Sequence, residues 1–208
     1  LLWLRGKCRY CRHKISGQDF WAELATGLSF TLIFWYIFAE LDINAFLLQL
    51  NWFTGLQLIG WWVFTSFLII IFIYDLRYYL ILDKVSLPAV AVAFIINIFL
   101  GHSWTSLLLA MLVGGGFFLA QFVLSKGKWI GGGDIRLGLL MGAILGWTGV
   151  LLGLFVAYML GGVFASILLL SKKKHLGDKL PFGTFLTIAT FIVLLYGDIL
   201  FKWYISLW

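Results

Sequence analysis

The sequence predicts an all-α fold, a polytopic bundle of about seven transmembrane helices, and three observations predict it. First, 62% of the 208 residues are hydrophobic and only 12% charged, with a mean hydropathy of +1.02. Soluble domains lie nearer half apolar and a quarter charged. Second, the apolar residues gather into runs of the length that crosses a bilayer, roughly 20 residues each. Third, the polar connections between the runs alternate between Lys/Arg-rich and free of both.

Taken in order, residues 1–20 open on a short "LLWL" and pass at once into Arg5, Lys7, Arg9, Arg12 and Lys14. No cleavable signal peptide is visible, and so abrupt an opening reads as a chain missing its natural start. The first membrane segment runs over about 21–39. Residues 40–55 mix Glu40, Asp42, Asn44 and Gln49 with apolar neighbours, the pattern of an interfacial stretch. Further segments follow at 56–74, 85–100, 105–124, 135–147, 149–170 and 182–204. The 135–147 run is short, about 20 Å as a helix. Trp52, Tyr74, Trp104, Trp147 and Trp203 stand near segment ends, where interface anchors belong. Gly138, Gly142 and Gly146 recur every fourth residue and predict a face that packs closely on a neighbour.

Under this reading every one of the 15 Lys and Arg residues except Lys202 falls on one side. The positive-inside rule makes that side cytoplasmic, with the N-terminus in and the C-terminus out. The +6 charge is therefore topogenic, and nucleic acid is excluded as a partner. There is no repeat and no low-complexity linker. A cytoplasmic segment at 1–20 followed by one membrane domain at 21–208 is the economical division.

Ionisable groups within membrane segments mark candidate chemistry. Here they are Glu23, Asp75, Asp134 and Asp198. Two crossings separate Asp75 from Asp134, so both carboxylates border the bilayer on the same face. Two neighbouring carboxylates cannot both ionise cheaply: one keeps its proton while the other acts as base. That is the arrangement for activating water against a peptide carbonyl and protonating the leaving amine. Either aspartate alone also reads as a solvated helix-end residue, and Asp134 suits a helix N-terminus by dipole and capping.

Four ordered motifs carry a resemblance over nearly the whole chain. They are "LRGKCRYCRHKIS" with "AELATG", "YDLRYYLILDKVSLP", "GGGDIRLGLLMGAILGW" and "LPFGTFLTIA". Together they resemble the type IV prepilin peptidases, GxGD-type membrane aspartic proteases. The resemblance implies catalytic roles for Asp75 and Asp134, with Gly131, Gly133, Asp83, Glu23, Pro181 and Gly183 in supporting or substrate-binding roles. It further implies cleavage of the short basic leader from type IV pilin-like precursors, at the cytoplasmic face of the bacterial inner membrane. Peptide cleavage then needs no cofactor, and the lipid bilayer and the precursors are the expected partners.

The chain departs from the family in two places. Leu82 stands where members usually carry a proline before the acid matched by Asp83. Only one Cys-x-x-C pair, Cys8 and Cys11, is present, where full-length members have two. Four thiolates complete a tetrahedral structural zinc site and two do not. The pair reads either as half of a zinc knuckle or as free thiols in a reducing cytoplasm. S-adenosylmethionine enters only if a methylase activity is retained. His13 and His175 read as surface residues and His102 as an outer-loop residue. Two rival readings remain open at this stage. One is a small proton- or cation-coupled transporter using intramembrane carboxylates; the other is a catalytically silent scaffold.

Overall fold

The computed structural model describes residues 17–38, 51–172 and 180–206. Those residues form six helices and no strand: α1 (Gly17–Phe38), α2 (Trp52–Tyr78), α3 (Asp83–Phe99), α4 (Trp104–Leu124), α5 (Gly132–Leu170) and α6 (Phe182–Ser206). All but α3 are long and apolar enough to cross a membrane. The protein is a multi-pass helical bundle, as its composition predicts. Large apolar side chains cover its outside, Trp52 at 78% and Leu112 at 66% exposure among them. So much exposed apolar surface suits a lipid environment.

Each predicted segment has a helical counterpart, and the two at 135–147 and 149–170 are the arms of α5. The break between them is Gly146, with φ 69° and ψ −170°, a conformation open to glycine and strained for other residues. It reverses the chain. A Cβ built on Gly153 would lie 2.9 Å from Met141 Sδ and 3.1 Å from Leu145 Cδ1. In a straight helix, residues 141 and 153 would be about 18 Å apart. The arms, 132–145 and 147–170, therefore lie side by side.

The predicted glycine stripe divides between two jobs. Gly138 faces the carbonyl of Gly114 and the ring of Phe118, and Gly142 faces the carbonyl of Ala110. The first arm thus lies backbone to backbone on α4, closer than any side chain would permit. Gly146 belongs to the turn instead, with open space where its side chain would be. Reversing there orphans the last carbonyls of the first arm. Buried Asn97 of α3 satisfies two of them, its amide donating to Ala143 O at 2.6 Å and Ile144 O at 3.1 Å.

The helices alternate in direction. The ends of α1, α2, α3 and α6 remote from Asp75 surround a cavity of about 430 Å³, together with the Gly146 turn. His102 and Asp198 line it, and both are exposed. At the opposite end meet the C-terminus of α2 and the N-termini of α3, α5 and α6. Asp75 and Asp134 belong to that end, as segment parity requires.

Candidate active site

Asp75 lies in the last turn of α2, which the Tyr79 N–H closes onto the Asp75 carbonyl at 2.9 Å, with Tyr79 in the left-handed region at φ 53°. Its side chain is 4% exposed and points to the N-terminus of α6. There the Thr184 N–H donates to Asp75 Oδ2 at 2.8 Å. A helix N-terminus offers unpaired amides and the positive end of the helix dipole, and here it offers them to a carboxylate from another helix. Gly183 makes the approach possible: a Cβ on it would lie 2.8 Å from Asp75 Oδ2 and 2.9 Å from its Cγ. Pro181 stands just before α6 and accepts from the Thr184 hydroxyl at 2.6 Å. That bond commits the hydroxyl proton to Pro181.

Asp134 is the third residue of α5 and is 7% exposed. Its Oδ2 accepts from the N–H of Gly131, the N-cap residue, at 3.0 Å. The helix-cap reading of Asp134 is therefore correct, but it does not exhaust the residue. One turn later Leu137 Cδ1 comes within 3.0 Å of the same Gly183 Cβ position that Asp75 abuts. The second turn of α5 and the Asp75 carboxylate thus converge on Gly183, and the two aspartates are near enough to interact electrostatically. Two buried carboxylates on separate helices, each held by a backbone amide, can share a proton and position a water between them.

The supporting residues divide. Gly133 is filled from within the chain, since a Cβ there would meet Ile81 Cβ at 2.8 Å. Gly132 has open space around it. The glycine triplet therefore provides a cap, an open position and a packing contact, rather than one uniform channel for a peptide. Asp83 opens α3 and pairs with Arg136, two residues beyond Asp134. That pair ties the segment following Asp75 to the helix that carries Asp134. Glu23 is exposed on α1 and is not brought to the pair. Cys8, Cys11, His13 and His175 lie outside the described residues, as does most of segment 1–20. Among the described residues no three of His, Cys, Asp and Glu come together to hold a metal ion.

Sequence reasoning missed Thr184, which acts through its backbone and leaves no signature in residue type. It also missed Asn97, a lone amide in an otherwise apolar run, which was a readable signal. A third omission is the contact between Tyr158 and Gln121, whose hydroxyl-to-Oε1 distance is 2.9 Å.

Comparison with known proteins adds an independent finding. The model of the type IV leader peptidase family matches residues 62–166, and that of the bacterial peptidase A24 N-terminal domain matches residues 1–37. The prepilin leader peptidase/N-methyltransferase of Aeromonas salmonicida is 30% identical over 99% of this chain and 67% of its own length. The protein of the same name from Bacillus subtilis is 29% identical over 99% of this chain and 77% of its own. That of Stutzerimonas stutzeri is 31% identical over 94% of this chain and 64% of its own. No solved structure gives a significant match.

Proposed function

The chain belongs to the type IV leader peptidase family, and on that premise we propose that it is a membrane aspartic endopeptidase acting on prepilin-like precursors. It removes their short basic leader at the cytoplasmic face of the bacterial inner membrane. The observation that carries this reading is that Asp75 and Asp134 lie at one end of the bundle, on helices that both pack against Gly183, with both carboxylates buried and each fixed by a backbone amide. One carboxylate takes a proton from water as that water attacks the scissile carbonyl carbon. The other, protonated, polarises the carbonyl oxygen. Collapse of the tetrahedral intermediate breaks the C–N bond, and the proton taken from water passes to the leaving amine. The pair titrates as a unit, so neither role belongs to one residue alone.

Topology supports the substrate assignment. The end of the bundle that holds both aspartates also carries Arg77, Lys84, Lys126, Lys128, Arg136 and Lys172, whereas the far end of α6 carries Lys202. By the positive-inside rule the aspartate end faces the cytoplasm. A precursor with an apolar helix in the bilayer and a polar leader outside it presents their junction at that depth. A zinc site built on Cys8 and Cys11 would organise the N-terminal segment and take no part in these steps.

The test is direct. Asp75→Asn and Asp134→Asn should each abolish leader removal from a co-expressed prepilin, read as a mobility shift on a gel. Processing at the wild-type rate by either variant refutes the assignment.

A further inference from the structure

We propose that Gln121 and Tyr158 form a subsite that hydrogen-bonds the backbone of the peptide segment being cut. The inference rests on the peptidase reading above and adds a place where the substrate is held.

Register gives the location. Along the antiparallel contact of α4 with the first arm of α5, Ala110 faces Gly142 and Gly114 faces Gly138. One further turn brings Phe118 level with Asp134, and the next brings Gln121 level with Gly131. Tyr158 reaches the same level from the second arm, its hydroxyl donating to Gln121 Oε1 at 2.9 Å. Its ring lies against Phe182, with centroids 5.0 Å apart. Phe182 in turn precedes Gly183, against which the Asp75 carboxylate packs. The pair therefore stands beside the carboxylates, yet it is not buried with them: Tyr158 is 39% exposed and Gln121 is partly exposed.

Chemistry gives the ligand. The bond between them uses the Tyr158 proton and one lone pair of Gln121. The two donors of the Gln121 amide nitrogen and an acceptor lone pair on the Tyr158 oxygen have no partner among the described residues. In the free protein the water and headgroups of the cytoplasmic border fill these places. A peptide segment can take them over, because a scissile bond must leave its helix to reach the buried aspartates. Its freed N–H and C=O groups then leave water for a partly apolar site, where an unpaired group is costly. A side-chain carboxamide carries the same donor and acceptor set as a peptide group. Gln121 and Tyr158 are thus matched to an extended backbone, whatever its side chains.

Steady-state cleavage of a prepilin by the whole protein in proteoliposomes tests the proposal. Tyr158→Phe removes one oxygen and keeps the ring against Phe182; Gln121→Met keeps the volume and removes the amide. Each should raise KM about tenfold, the effect of losing one or two net hydrogen bonds. The turnover rate should stay within about twofold and the thermal midpoint should not move. An unchanged KM, or a loss confined to kcat, overturns the proposal, because the pair then merely braces α4 against the second arm of α5. A wild-type protein that cleaves nothing refutes the peptidase reading separately. Binding of the uncleaved leader-junction peptide to Asp134→Asn protein then decides the subsite. About tenfold weaker binding on adding Gln121→Met supports it, and equal affinity overturns it.

Discussion

Gly183→Ala adds one methyl group at the point where both halves of the candidate site meet. The new Cβ would lie 2.8 Å from Asp75 Oδ2 and 2.9 Å from its Cγ, against 3.4 Å for the closest ordinary contact. Something must move by about 0.6 Å. Leu137 can give, since only its terminal Cδ1 intrudes, at 3.0 Å. Asp75 cannot give without lengthening its 2.8 Å bond from the Thr184 N–H. A misplacement of about 1 Å at a reacting group costs on the order of a hundredfold in rate. The expected loss in kcat/KM is therefore about ten- to a hundredfold, or about 1.4–2.7 kcal/mol of transition-state stabilisation. Helix propensity acts in the opposite direction, alanine being favoured over glycine by about 1 kcal/mol in a helix interior and by less at the second residue of α6. Folding should therefore survive while activity falls. The assay is prepilin cleavage in detergent micelles with thermal unfolding measured in parallel, and Gly162→Ala serves as control because nothing lies within 4 Å of its Cβ position. Wild-type kcat/KM in a stably folded Gly183→Ala protein would refute the claim that α6 positions Asp75.

Two other substitutions probe the frame around the site. Asn97→Leu strands the buried carbonyls of Ala143 and Ile144, and should cost about 1–3 kcal/mol of stability, seen as a lowered thermal midpoint in detergent. Leu82→Pro should be accepted, since Leu82 already has φ −74° and ψ 122° and caps α3 without a side-chain bond. Fixing that φ should leave cleavage unchanged and stabilise by about 0.4–1 kcal/mol; a lowered midpoint would show that the Leu82 N–H or Ile81 needs a conformation that proline forbids.

The fold was legible because membrane helices are written in composition and length. The placement of both aspartates at one end follows from the number of segments between them. Contacts made by atoms common to all residues were not legible. Thr184 serves through its N–H, which any residue except proline would supply, so residue type gave no hint. Gly133, Gly142 and Gly146 look alike in sequence yet do three different things: one admits Ile81, one admits the Ala110 carbonyl and one reverses the chain. A glycine records only that a side chain is absent. What takes that space is decided by another part of the chain.

That limit also explains how the site is held. Among the described residues no charged side chain fixes either aspartate; each accepts from a backbone amide at a helix N-terminus, Asp134 from that of its own helix and Asp75 from that of α6. A backbone amide does not titrate, so the carboxylates can exchange a proton without the donor that orients them changing state. The consequence is that the spacing of the pair is set by helix packing. The first arm of α5 is registered on α4 by Gly138 and Gly142, and α6 is registered on α2 by Gly183. Sliding either contact by one residue, about 1.5 Å, would move a carboxylate by more than catalysis tolerates. Tight glycine packing is thus the device that positions the two carboxylates, with the Asp83–Arg136 pair as a further tie between their segments.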